Sequence, residues 1–183
     1  MAKTRGSHVL NAVKVLRSQR ERALALLPAR MHKYLEERIL PSTWYPFEDH
    51  LELLHVIGLI FWPGASIEVA FRQIGRGTAQ SDLTGLYKTS LRRGDATGTM
   101  RWMTAMWKNV FDTGELTVKP DGPHGVAVRL RDFPLRTREI CSLCSGYIVE
   151  TVQLAIDREP KLVHTMCRSR GGSECAWSVN WSI

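Results

Sequence analysis

The 183-residue sequence predicts an α+β domain, in which helices pack beside an antiparallel sheet made of two β-hairpins. Apolar residues recur at helical spacing through residues 1–112. From residue 113 onward the pattern changes to the alternation typical of strands, with one helix between two hairpin patterns. The length and the hydrophobic content of 44% suit a single globular domain over residues 1–183.

The first part of the chain, residues 1–112, is predicted to be mainly helical. Pro28 suits a helix start, Pro41 must end the helix before it, and Ser66 is an N-cap candidate. Between Pro41 and Pro46 we expect a rigid connector between helices. The predicted helices cover residues 9–27, 28–40, 47–62, 66–90 and 96–112.

Small residues interrupt the predicted helix over residues 66–90. Gly75, Gly77, Ala79 and Gly85 lower its intrinsic helix propensity. We therefore expect a neighbouring helix or a ligand to approach this segment closely.

The second part, residues 113–183, is predicted to fold as hairpin, helix and hairpin. The first hairpin spans residues 115–130 around the turn signal Asp121-Gly122-Pro123, and a helix follows over residues 136–157. The second hairpin spans residues 162–181. If this hairpin is symmetric about Gly171, it pairs Cys167 with Cys175, and the face of the strands that carries these two residues points toward the core.

Four residues of this second part form a metal-ligand pattern. Cys141, His164, Cys167 and Cys175 have the spacing C-x22-H-x2-C-x7-C, and thiolates with a neutral imidazole are the ligands of a closed tetrahedral zinc site. Strand alternation turns His164 away from Cys167, so His164 can join only through a bulge. Cys144, one helical turn after Cys141, is the alternative fourth ligand.

Other interpretations of the four cysteines stay open at this level. They could be small buried side chains, or Cys167 and Cys175 could form a cross-strand disulfide. A catalytic thiolate with His164 as base lacks an orienting residue, and no P-loop, GxGxxG, HExxH or GxSxG motif is present. The sequence therefore favours a protein without enzymatic activity.

The charge and the hydropathy of the sequence restrict where the protein can be located and which partners it can bind. The net charge of +7 permits binding to nucleic acid or to an acidic partner, but the basic residues are dispersed and no nucleic-acid-binding motif accompanies them. There is neither a signal-peptide pattern nor an uninterrupted apolar run of about 18 residues. We expect a cytoplasmic protein with reduced thiols and no transmembrane segment.

The C-terminal part resembles the signature of 4-vinyl-reductase-type domains. The resemblance rests on Cys141, Gly146-Tyr147, His164, Cys167, Gly171 or Gly172, Cys175 and Trp177. It implies a structural zinc beside a small-molecule pocket, with His164 at the place of an acidic ligand in the phenol-sensing members. That fold is similar to trafficking-complex subunits that hold an acyl chain. It therefore implies a sheet flanked by helices, an internal apolar pocket and frequent dimerisation.

The full length is similar to an uncharacterised bacterial family of paralogues of about this size, which implies little about chemistry. The matching pieces are Gly6-Ser7, residues 39–46, Ile74-Gly75-Arg76, Asp132-Phe133-Pro134 and residues 167–171.

Together these observations predict a homodimeric ligand-binding or regulatory module with zinc as a structural cofactor. It would hold a small apolar or acyl-like ligand between the helices and the sheet, a kind of site that is mostly apolar with few polar groups. The alternative is a basic scaffold protein that recruits an acidic partner or nucleic acid. The predicted ligand-binding residues are Trp44, Tyr45, Met103, Trp107 and Tyr147.

Overall fold

The computed structural model describes residues 2–134 and 137–182, and within them seven α-helices and two antiparallel sheets form the predicted α+β architecture. The elements before the four-stranded sheet are β1 (Lys3–Arg5), α1 (Gly6–Arg17), α2 (Arg20–Leu26), α3 (Lys33–Glu36), β2 (Trp44–Pro46), α4 (Phe47–Phe61), α5 (Ile67–Thr84) and α6 (Ala96–Val110). The elements that follow are β3 (Glu115–Pro120), β4 (Gly125–Arg131), α7 (Arg138–Ile156), β5 (Lys161–Met166) and β6 (Cys175–Asn180).

The four-stranded sheet has the order β3-β4-β6-β5 with every neighbouring pair antiparallel. Both predicted hairpins are present, and β4 pairs with β6 to join them into one sheet. Val128 lies opposite Trp177 across this central pair, and both side chains are buried. The alternation of apolar residues therefore identified the core face of β4 and β6 correctly.

The register of the second hairpin differs from the symmetric pairing about Gly171. His164, rather than Thr165, lies opposite Trp177, and the register shifts between His164 and Met166. This bulge inserts an extra residue into β5, so the residues before it reverse their faces. His164 consequently turns toward the core side, while Val163 remains 46% exposed.

The segment predicted as a connector contains a short strand. β2 pairs antiparallel with β1, so that Arg5 lies opposite Trp44 and Lys3 opposite Pro46. Strands of three residues are too short to show an alternating pattern, and their partner lies about 40 residues away. The N-terminus is thereby joined to the start of α4.

Helix boundaries depart from the prediction in three places. The segment 9–27 is divided into α1 and α2, and the segment after Pro28 forms one 3-10 turn and the short α3. α5 ends at Thr84 rather than near residue 90, although Ser66 caps it by accepting a hydrogen bond from the Val69 N–H at 3.3 Å. The predicted start of the last helix at Arg136 lies outside the described residues.

Two apolar cores are built from these elements. One joins α1, α2, α3 and α4 with part of α5, and the other joins the sheet with α6 and α7. By length and composition α7 could cross a membrane, but a little over half of its apolar window (56%) is buried inside the fold. It packs against α5, α6 and strands of the sheet.

Helices α5 and α7 touch through their backbones. A Cβ atom added to Gly146 would lie 1.9 Å from the Arg72 carbonyl oxygen, and one added to Gly75 would lie 2.1 Å from the Leu143 carbonyl oxygen. Of the small residues singled out in this segment, Gly75 therefore serves the close approach of a neighbouring helix, one of the two explanations that the sequence offered. In contrast, nothing lies within 4 Å of a Cβ added to Gly77.

This contact generates a prediction on stability. Gly146→Ala forces α7 away from α5 and should lower the free energy of unfolding by about 3 kcal/mol. Gly77→Ala, the matched control on α5, should raise it by about 1 kcal/mol because alanine has the higher helix propensity. Urea unfolding of both variants measures the difference. Equal effects of the two substitutions would show that the helices are not held in backbone contact.

Candidate functional site

An apolar cavity lies where α6 and α7 meet the N-terminal helices. We call it the inner cavity; its volume is about 80 Å³. Its walls are almost entirely apolar, which suits an uncharged ligand. The lining includes His8, Met103, Trp107, Phe111, Leu143, Cys144 and Tyr147.

An aromatic cluster closes one side of the inner cavity. The rings of Trp107 and Phe111 lie 4.3 Å apart, and Phe133 meets Phe47 edge to face at 5.4 Å. Trp107 donates its indole N–H to the Thr113 carbonyl at 3.0 Å, so its polar atom is satisfied. Such offset and edge-to-face contacts hold the rings in a defined arrangement.

A second and larger space, the outer cleft, lies between α1, α4 and α5 and has a volume of about 500 Å³. His8, Thr78, Phe111 and Leu143 line both spaces, so the two spaces adjoin each other. Polar side chains lie along the outer cleft where it meets solvent: Asn11, Lys14, Gln73 and Ser81.

Two histidines contribute buried nitrogens to this region. Among the described residues, His8 Nε2 and His50 Nδ1 have no hydrogen-bond partner. The His8 ring borders open space and is partly accessible, although its Nε2 atom is not. Burial lowers the pKa of His8 to about 4, and burial together with the neighbouring His8 lowers the pKa of His50 to about 3. Both imidazoles are therefore uncharged at neutral pH.

A carboxyl–phenol pair lies beside the inner cavity. The Tyr147 hydroxyl on α7 donates to the Asp82 carboxylate on α5 at 3.1 Å, and Asp82 is only 4% exposed. Burial raises the pKa of Asp82 to about 6, and the hydrogen bond from Tyr147 partly opposes this shift. Asp82 is thus the buried carboxyl that changes charge closest to neutral pH among those with a resolved shift.

The cysteine and histidine side chains of the predicted metal pattern converge. Cys141 Sγ lies 3.3 Å from Cys175 Sγ and 3.5 Å from Cys167 Sγ, and with a His164 nitrogen these atoms all lie within 4.8 Å of one another. The bulge after His164 brings it to this side of the sheet, where its ring stacks on Trp177 at 4.9 Å. Cys144, the alternative fourth member, lines the inner cavity instead.

We call Cys141, Cys167 and Cys175 the thiol cluster, and hydrogen bonding within it shifts the pKa values of these thiols. The contact with Cys175 raises the pKa of Cys141, and the same contact lowers the pKa of Cys175 to about 4. Either thiol of this contact can act as the donor. All four cysteines are free, so the alternative of a Cys167–Cys175 disulfide is not formed.

The predicted ligand-binding residues separate into two groups. Met103, Trp107 and Tyr147 line the inner cavity. Trp44 and Tyr45 lie in β2 and line neither the inner cavity nor the outer cleft. The guanidinium of Arg5 covers the Trp44 ring at 4.0 Å, and the Tyr45 hydroxyl accepts from the Leu40 N–H at 3.0 Å.

Sequence reasoning missed several residues of the cavity region, namely His8, His50, Asp82, Phe111 and Phe133. A signal existed for His8, because it precedes the buried stripe of α1 with Ala12 four residues later on the same side. Asp82 gave no comparable signal, since a carboxyl on a long helix is ordinarily solvated.

Comparison with protein-family models gives no match, and comparison with curated protein sequences gives none either. Solved structures do match over nearly the whole chain. An oxygen-binding H-NOX domain related to soluble guanylate cyclases has a TM-score of 0.71 at 13% identity, covering 98% of this chain and 95% of that domain.

Two further H-NOX structures give similar values. An H-NOX protein from S. oneidensis in the Fe(II)NO state has a TM-score of 0.66 at 12% identity, covering 97% of this chain and 99% of its own. A variant H-NOX protein from K. algicida in the unliganded Fe(II) state has a TM-score of 0.68 at 9% identity, covering 98% and 97%. The chain therefore has the fold of H-NOX domains; at these identities the likeness concerns the fold alone.

This comparison corrects two predictions. The structural relatives are H-NOX domains rather than 4-vinyl-reductase-type domains, although the broader prediction of a small-molecule-binding type of fold is consistent with them. The prediction of zinc as cofactor is wrong, because the cofactor of the solved structures that share this fold is heme and not zinc. Two of those structures concern the redox potential and the distortion of the heme. Clustered thiols alone did not identify a zinc protein, since buried cysteines also pack as small apolar groups with weak S–H donors.

The thiol cluster generates a prediction on stability. Cys141→Ala removes the thiol that contacts both hairpin cysteines, Cys167 and Cys175, and should lower the free energy of unfolding by about 1 to 3 kcal/mol. Cys144→Ala, the control on the same helix, lies outside the cluster and borders existing space, so its effect should be smaller. Chemical denaturation under reducing conditions measures both. A larger loss from Cys144→Ala would contradict the structural role of the cluster.

Asp82 generates a prediction on pH dependence. Because the folded pKa of Asp82, about 6, lies above its ordinary value of 3.8, the wild type loses stability as pH rises from about 4 through about 6, when a buried charge forms. Asp82→Asn keeps the shape and an acceptor for Tyr147 without this charge. The variant should match the wild type near pH 4 and exceed it by about 2 to 3 kcal/mol at pH 7 to 8.

Urea unfolding of both proteins at several pH values between 4 and 8 gives this difference. The titration of His8 and His50 affects both proteins equally and cancels. A difference that does not change with pH would show that Asp82 is not desolvated.

Proposed function

We propose that the chain is a ligand-binding module without enzymatic activity, of the small-molecule-sensing kind. Its ligand would occupy the inner cavity and extend toward the outer cleft. The observation that carries this proposal is the inner cavity itself, an apolar space bounded by Trp107, Phe111 and Tyr147. The H-NOX fold supports it, because an oxygen-binding domain is among the proteins that share this fold.

Heme does not fit this cavity region. A heme needs one continuous flat slot, an axial donor and positive charge for its two carboxylates. His8 offers an unpartnered nitrogen as a donor. However, the apolar inner part measures only about 80 Å³. Among the described lining residues, Lys14 of the outer cleft is the one Lys or Arg side chain.

The size of the two spaces indicates how a ligand would bind. The inner cavity is smaller than the ~300 to 1,000 Å³ of pockets that enclose drug-sized molecules, whereas the outer cleft lies within that range. We infer that a small apolar group, a short acyl chain or a single ring, inserts from the outer cleft past His8 and Phe111.

The thiol cluster would support this site structurally. Cys141 lies on α7, and the same helix contributes Leu143, Cys144 and Tyr147 to the cavity walls. By tying α7 to the β5–β6 hairpin, the cluster would hold that wall in place. Homodimerisation and a cytoplasmic location remain predictions.

The alternative, a basic scaffold, gains no support from the arrangement of charges. Arg76 contacts Glu150 at 3.0 Å, Arg129 contacts Glu174 at 2.8 Å, and Arg131 contacts the same carboxylate. These three arginines are therefore engaged by carboxylates within the protein.

Binding of a small neutral hydrocarbon tests the proposed function. Ethylbenzene should bind the wild type with one site per chain, measured by isothermal titration calorimetry or by ligand-observed NMR. Met103→Trp fills the inner cavity and should weaken binding at least about tenfold, because the ligand loses the apolar surface it buries. Met166→Trp, at a position that is 40% exposed on β5, is the matched control and should leave binding unchanged.

Hemin provides the second arm of this test. Hemin added to the wild type should produce no stoichiometric change in the Soret absorption. A one-to-one Soret band that His8→Phe abolishes would contradict the conclusion on fit and would identify His8 as an axial ligand. Equal ethylbenzene affinity of the wild type and Met103→Trp would exclude the inner cavity as the binding site.

A further inference from the structure

His8 on α1 and His50 on α4 line the same space, and each has a buried nitrogen without a partner. Both residues line the outer cleft, and His50 is only 6% exposed. Among the described residues neither His8 Nε2 nor His50 Nδ1 has a hydrogen-bond partner. Leaving a buried polar group unpaired costs about 1 to 3 kcal/mol, and folded proteins rarely do so. Two such atoms in one cleft therefore indicate a group that arrives with the ligand.

The two imidazoles lie at the boundary between the outer cleft and the inner cavity. The His8 ring is 6.3 Å from Phe111, one of the residues that line both spaces. The Phe47 ring is 5.9 Å from His50 and 5.5 Å from Phe111. A ligand that passes between the spaces would therefore place its inner part among aromatic rings and its outer part beside the imidazoles.

The scarcity of charged groups in this region favours an uncharged ligand. Burial keeps both imidazoles neutral, with pKa values of about 4 for His8 and about 3 for His50. An anionic ligand would need a buried cation to offset its desolvation. Among the described residues of the outer cleft, the one Lys or Arg side chain is that of Lys14, which is exposed.

We propose that His8 and His50 recognise the hydroxyl group of an uncharged ligand whose apolar body enters the inner cavity. A neutral imidazole offers one N–H donor and one acceptor nitrogen, and a hydroxyl group can both donate and accept. A hydroxyl therefore pairs with the unpartnered nitrogens in either tautomer. This inference rests on the proposed function, since it assigns the chemical class of the ligand that the cavity takes.

Three probes of similar size separate the contributions of the hydroxyl group, the apolar ring and a negative charge to binding. Benzyl alcohol has the apolar ring and a hydroxyl, ethylbenzene replaces that hydroxyl by a methyl group, and benzoate carries a negative charge. The measured quantity is the ratio of the dissociation constants of ethylbenzene and benzyl alcohol, obtained by calorimetry for each protein. The ratio cancels general effects of a substitution on the size of the cavity.

His8→Phe and His50→Phe each remove one imidazole and keep an aromatic ring. Either should lower the ratio about tenfold, the contribution expected of a buried hydrogen bond. His124→Phe, in the turn between β3 and β4, is the matched control and should leave the ratio unchanged. Should one phenylalanine variant not fold, the other and His8→Asn provide the same comparison, and thermal unfolding verifies each protein.

The outcomes distinguish this inference from the proposed function. If ethylbenzene and benzyl alcohol both bind and the ratio is the same in all variants, solvent satisfies the imidazoles and the inference is overturned while the cavity remains a ligand site. If neither binds, the proposed function itself fails. Benzoate that binds as tightly as benzyl alcohol would also overturn the inference, because the site would then accept an anion.

Discussion

The backbone contact between α5 and α7 is the constraint on which the rest of the structure depends. Gly75 and Gly146 allow each helix to reach a carbonyl oxygen of the other, at a distance that no Cβ atom would permit. Since α5 contributes to the helical core and α7 to the core under the sheet, this contact joins the two. Because both helices line the inner cavity, the same contact limits its size.

The interior around this contact is apolar, and the polar groups within it are either uncharged or hydrogen-bonded to each other. Burial holds His8 and His50 neutral, and the Asp82 carboxyl accepts a hydrogen bond from Tyr147. Charging any of these groups inside the fold would cost several kcal/mol. The same physical environment that stabilises the fold thus favours a neutral ligand over an ionic one.

The H-NOX fold of this protein does not by itself identify what the protein binds. Nearly the whole chain follows the H-NOX fold, yet its apolar inner cavity measures only about 80 Å³ and, among the described residues that line the two spaces, Lys14 is the one Lys or Arg. A fold specifies where helices and strands lie, whereas a binding site depends on the particular side chains between them. His8 and Phe111 are such side chains here, because they line both spaces.

The sequence by itself determined the α+β class and both hairpins, because each follows from local periodicity, and the metal-ligand spacing singled out Cys141, Cys167 and Cys175, which do converge. It also identified Met103, Trp107 and Tyr147 on the cavity wall. Only the tertiary structure decided the pairing of β1 with β2, the bulge that brings His164 to the cysteines, and the unpartnered nitrogens of His8 and His50. These features depend on contacts between residues far apart in the chain, which local patterns do not contain.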